Sequence, residues 1–63
     1  MKKELIKIGI PVTYWAIIDE KGKRSNPTQT TITSEPWEVC GTWICNIQGV
    51  SGGVDIEHLE IIN

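Results

Sequence analysis

The residues able to do chemistry are few and unevenly placed. His58 is the single histidine of the chain, with Asp55, Glu57 and Glu60 close to it in sequence. A histidine among carboxylates is the raw material of general acid–base catalysis, in which an oriented imidazole moves a proton. That chemistry also needs a nucleophile or a bound substrate to act on, and no residue nearby reads as an activated nucleophile. Carboxylates in a terminal strand are ordinarily solvated, or pair across strands with a lysine such as Lys3 or Lys7. The expectation is a protein that is not an enzyme, with no catalytic residue and no cofactor.

Cys40 and Cys45 are the only cysteines. A closed metal site takes about four ligands, more than two cysteines and one histidine supply, so no metal site is expected. Cys45 falls in an apolar phase and reads as a small core residue. Cys40 sits near a turn, and both read as free thiols. The glycine run Gly49-Val50-Ser51-Gly52-Gly53 invites comparison with phosphate cradles, which place converging N–H groups at a helix N-terminus beside a lysine. Here a strand pattern follows and there is no lysine, so the glycines are assigned to a turn between antiparallel strands. The fragment Gly22-Lys23-Arg24-Ser25 likewise lacks the upstream glycine and the helix of a phosphate loop.

Charge is divided along the chain. The first 24 positions hold all six bases and three acids, a net +3, whereas from residue 25 onward there are five acids and no base, a net −5. Such asymmetry marks either a charged binding face or two terminal strands that lie side by side and neutralise each other. Lys21, Lys23 and Arg24, close in sequence to Tyr14 and Trp15, form one candidate surface, in which the bases meet phosphates and an aromatic ring stacks on a base. The sequence pI of about 5.2 and the acidic second part weigh against nucleic acid. Trp15, Ile17 and Trp37 form the other candidate. Trp15 and Ile17 lie off the buried phase of the first strand, and Trp37 follows a proline turn. Exposed aromatic side chains of this kind are enriched in interface hot spots, although the same tryptophans would also serve to cap the open ends of a small barrel.

These residues must be positioned by short strands. Ile6, Ile8, Ile10, Val12, Tyr14, Ala16 and Ile18 alternate without a break, the period of a strand with one buried face, and Gly9 and Pro11 mark a bend within it. A polar loop over residues 19–27 pivots on Gly22 and leaves through Asn26-Pro27. Threonines of the next segment suit a half-exposed strand. Glu35-Pro36 opens a third strand with Trp37 and Val39, and Gly41 makes a tight connection. Trp43, Cys45 and Ile47 then point to one side and Ile44, Asn46 and Gln48 to the other. Val54 and Ile56 continue the inward phase. The step of three to Leu59 and of two to Ile61 predicts one 3₁₀ turn running into a last strand. Turn signals about every ten residues indicate a small all-β barrel or sandwich.

The closing stretch, Trp43 followed by Gly52-Gly53-Val54-Asp55-Ile56-Glu57-His58-Leu59, resembles the end of SH3 domains over roughly the last third of the chain. That likeness implies a five-stranded SH3-like barrel with one 3₁₀ turn before the last strand. It does not imply recognition of proline-rich peptides: Asp55 replaces the proline after the glycine turn, His58 replaces the tyrosine of the 3₁₀ turn, and no tyrosine pair stands near the start. The ending is also similar to that of plasmid-encoded trimethoprim-resistant dihydrofolate reductases, another SH3-like barrel. Their V-Q-I-Y active-site motif stands here as Val54-Asp55-Ile56-Glu57, with both functional side chains changed, so the likeness carries no activity. Short SH3-like chains of this style are common in phage, prophage and plasmid genomes, and this one resembles them.

One domain over residues 1–63 is expected, with no membrane span and no apolar leader, hence a cytoplasmic location. The expected role is a protein-interaction module that binds a protein partner or a second copy of itself through Trp15, Ile17 and Trp37. The alternative is a nucleic-acid-binding module, like the KOW, Tudor and Sm types that share this architecture, using Lys21, Lys23, Arg24 and Tyr14.

Overall fold

The computed structural model describes residues 1–62, so the last residue of the expected 1–63 domain, Asn63, lies outside the described residues. The chain is all-β. Six strands run β1 (Pro11–Ile18), β2 (Arg24–Thr31), β3 (Trp37–Val39), β4 (Thr42–Cys45), β5 (Val54–Asp55) and β6 (Leu59–Ile61). They form two antiparallel three-stranded sheets, ordered β2-β1-β6 and β3-β4-β5. The expected five-stranded closed barrel is corrected here to six strands in two sheets that do not close.

The break between β2 and β3 has a physical origin. After β2 the chain passes through Ile32, which makes an isolated bridge to Ile47, and then kinks over Ser34-Glu35-Pro36 before β3 begins. Proline cannot donate to a ladder, and Ser34 turns its hydroxyl inward to accept the Asn46 N–H at 2.8 Å. β2 and β3 are thereby separate strands, as the Glu35-Pro36 turn signal indicated. Ile32 is the joint between the sheets. Its carbonyl accepts the Gly9 N–H at 2.8 Å, its own N–H donates to the Ile10 carbonyl at 3.0 Å, and its side chain is wholly buried.

The first strand begins later than its alternation suggests. Lys3–Leu5 is a 3₁₀ turn, and Gly9 takes a φ of +93°, a conformation that L side chains rarely adopt. The chain turns there, with the Ile10 N–H donating to the Lys7 carbonyl at 3.3 Å, and Pro11 opens β1, the strand position where a missing N–H matters least. The unbroken inward series from Ile6 to Ile18 is corrected accordingly. Ile6 and Val12 are buried, but Ile8 is 64% exposed and Ala16 also faces solvent. The polar loop is shorter than residues 19–27 as well. It closes over residues 19–23, where Asp19 Oδ1 accepts from the N–H groups of Lys21 and Lys23, and Asn26-Pro27 lies inside β2.

The later part of the chain follows its pattern closely. Cys45, Ile47, Val54, Ile56 and Leu59 are all buried, and Trp43 packs against them. The 3₁₀ turn falls at Ile56–His58, immediately before β6. Together with Ile6, Val12 and Ile32 these residues form one small core between the sheets. Each buried aliphatic side chain contributes about 1.5–3 kcal/mol, so a core of eight leaves little margin against chain entropy.

Candidate functional site

The outer face of the second sheet is built from pairing alone. Trp37 lies opposite Ile44, Val39 opposite Thr42, and Ile44 opposite Asp55, so all five side chains share the face turned away from the buried Cys45 and Val54. Trp37 is 39% exposed and Val39 46%, with Ile44 half-buried between the strands. A two-residue turn holds the β3–β4 hairpin. Its central residues, Cys40 and Gly41, have φ values of 50° and 80°, both positive as in the tight turns that match strand twist.

Gly53 lets this face pack closely. A Cβ at Gly53 would stand 2.9 Å from Ile44 Cδ1 and 3.0 Å from Trp37 Cη2 and Cζ2. The indole therefore lies directly over the glycine backbone, in space that a methyl group would take. Gly53 has no positive φ, so room for Trp37 is the reason for its smallness, whereas Gly49 and Gly52, at +88° and +83°, serve the turn before it. That turn leads into strand β5, in the manner assigned to it from the sequence.

The other expected site residues are distributed elsewhere. Trp15 and Ile17 share the outer side of β1 in the first sheet, where Trp15 faces Pro27 and Ile17, 49% exposed, faces Ser25. Trp15 is half-buried, and its indole Nε1 is fully covered without a hydrogen-bond partner. Trp37 thus belongs to a different sheet from Trp15 and Ile17. Of the basic group, Lys21 and Lys23 are exposed at the β1–β2 hairpin tip. Arg24 instead lies in β2, where its guanidinium meets the Glu60 carboxylate at 3.5 Å and donates to the Glu57 carbonyl at 3.5 Å. Tyr14 is half-buried against the core, its ring centroid 6.2 Å from that of His58.

Two of the three carboxylates near His58 have structural tasks. Asp55 Oδ1 accepts the Glu57 N–H at 2.9 Å and starts the 3₁₀ turn, while Glu60 takes Arg24. His58 Nδ1 lies 2.7 Å from the Trp15 carbonyl. A carbonyl only accepts, so Nδ1 carries the proton and ties the 3₁₀ turn to β1. The suggested pairing of these acids with Lys3 or Lys7 is replaced by the Arg24–Glu60 contact, and Lys3 Nζ sits over the Trp43 ring, 4.2 Å from its centroid.

Cys40 is exposed and Cys45 buried, and burial pushes the Cys45 thiol above its ordinary pKa. Among the described residues no group of three or more His, Cys, Asp or Glu side chains is placed to hold a metal ion, and no helix is long and apolar enough to cross a membrane. No family model matches the chain, and neither curated proteins nor solved structures provide a match.

Sequence reasoning named Trp37 but missed its neighbours. Ile44 had a readable signal, since it falls out of phase with Trp43, Cys45 and Ile47, and Val39 had one in lying two residues from Trp37. Gly53 had none, because its role depends on which strand lies beside it.

Proposed function

We propose that this chain is a small interaction module of SH3-like architecture that binds another protein chain, and that the Trp37 face is its principal contact surface. The order of elements supports the architecture. A hairpin pairs with the closing strand in one sheet, a second hairpin builds the other, and one 3₁₀ turn precedes the end. The observation that carries the function is the seated indole. Trp37 is fixed over Gly53 and Ile44 yet remains exposed beside Val39. A large aromatic held in one place gives contact area with little rotamer entropy left to lose, the property of an interface anchor. Trp15, which is half-buried, lies together with Ile17 and Pro27 on the other sheet as a second apolar surface.

Site-specific photocrosslinking tests the reading in cells that express the protein. A crosslinker at position 37 is expected to give discrete protein adducts, and one at the exposed Gln29 of β2 is expected to give none. Equal labelling from both positions would remove the Trp37 face from the argument. The nucleic-acid reading keeps Lys21 and Lys23 at the hairpin tip, but Arg24 and Tyr14 are engaged within the fold. Salt-sensitive binding to DNA or RNA that is lost on neutralising both lysines would favour it instead.

A further inference from the structure

We infer that the free edge of β3 is a docking rail for an extended, basic partner segment, which adds as a strand beside Trp37. The inference deepens the reading of the Trp37 face as an interface and rests on it. Val39 and Thr42 flank a two-residue turn, where opposed residues exchange both backbone bonds. Alternation then turns the N–H and C=O of Glu38 away from β4, toward the open side of the sheet. β3 is the outermost strand there, and all three of its residues are exposed. The long edge strand β2 is blunted by Pro27 and by Asn26 at a φ of 55°. Within its three residues β3 has neither a proline nor a positive φ, so the Glu38 backbone stays open to pairing.

Charge selects the occupant. Glu35 and Glu38 flank Trp37 in sequence and Asp55 shares its face; the nearby Lys3 is held over Trp43, the cross-strand neighbour of Glu38, and among the described residues it makes no salt bridge to Glu38. A second copy is a poor match. Two β3 strands related by a two-fold axis would set Glu38 directly against the second copy's Glu38, a repulsive pairing. Slipping that register brings up Pro36, which has no N–H, or Cys40, which is in the turn. Nucleic acid would meet the same carboxylates. A strand with a lysine or arginine opposite Glu38 and apolar residues on either side meets every requirement at once. Its backbone pairs with Glu38, its charge faces a carboxylate, and its apolar side chains flank Trp37 and Val39.

The probe is a nonapeptide of alternating valine and lysine, compared with its glutamate-for-lysine twin, on the intact protein. Only the basic peptide is expected to bind and to slow hydrogen exchange of the Glu38 amide by about tenfold or more, with affinity falling as salt rises. Glu38→Gln should weaken that binding about tenfold, and Glu38→Lys should transfer preference to the acidic twin. Equal binding of both peptides, an unprotected Glu38 amide, or a self-dimer seen by sedimentation and formed through residues 37–39 would each overturn the inference. If the peptide fails while crosslinks from position 37 persist, strand addition falls alone. If both are lost, the interface reading falls with it.

Discussion

The first sheet pairs two eight-residue strands with a short closing strand, and its outer strand β2 is polar. β2 is rich in threonine, interrupted by Pro27, and joined to β1 by a loop that Asp19 ties down through two backbone N–H groups. Arg24 and Glu60 also pair within this half. The second sheet has strands of two to four residues, an apolar outer face, and carboxylates with no basic residue following them in the chain. Its stability comes from the inner side, where Cys45 and Val54 enter the shared core. The first sheet therefore carries most of the ladder, and the second is held largely by side-chain packing. That difference frees the outer face of the second sheet to serve something other than folding.

The largest expected effect comes from cutting the joint between the halves. Ile32→Ala removes a wholly buried side chain at the one point bonded to the entrance of β1 and bridged to Ile47. A loss of about 2–4 kcal/mol is expected, read as the shift in a urea unfolding curve. Ile8→Ala is the internal control: the same residue type at 64% exposure should shift the curve by under about 0.5 kcal/mol. Comparable losses at the two positions would show that the turn at Gly9 does not expose Ile8, and would restore a single strand from Ile6 onward.

Gly53→Ala acts on the second sheet alone. The new methyl group would stand 2.9 Å from Ile44 Cδ1 and 3.0 Å from the Trp37 ring, so the exposed indole is pushed outward off its seat. We expect a loss of about 1–3 kcal/mol together with a red-shifted tryptophan emission as the ring moves into water. Gly41→Ala separates the two causes, since nothing lies near its Cβ and only its φ of +80° opposes the change. It should destabilise without altering emission.

How legible this was depends on the range of the interactions involved. The stretch from Trp43 to Ile61 was readable, because its alternation and its single 3₁₀ turn are set by neighbours within a few residues. The start was misread for the opposite reason. Ile8 keeps the period of a buried strand, but Gly9 and Pro11 turn the chain, and whether a bend or a full turn results depends on the bonds they make to Ile32 and Lys7. The break before β3 was readable at Glu35-Pro36, but the bond from Asn46 to Ser34 that fixes it was not, because it joins residues twelve apart. At the candidate site Trp37 was visible as a residue type. Its seat on Gly53 was not, since that contact joins residues separated by two turns and strand β4.

The smallest expected effect sharpens the comparison at the hairpin that borders the proposed edge. Cys40 holds a φ of 50° without being glycine, a conformation that costs most side chains energy and that asparagine tolerates well. Cys40→Asn should therefore raise stability by about 0.5–1 kcal/mol, provided the turn has the geometry described. The same variant isolates Cys45. In the wild type a thiol reagent should label exposed Cys40 at once, whereas labelling of Cys45 should require unfolding, so the variant should show only the slow phase. Because burial raises the Cys45 pKa, the unfolded chain releases that proton before the folded one does. Stability should be unaffected below the ordinary thiol range and should fall as pH rises through it, until the folded thiol ionises too. A variant that labels quickly at Cys45 would mean that the short second sheet opens on its own while the first stays folded.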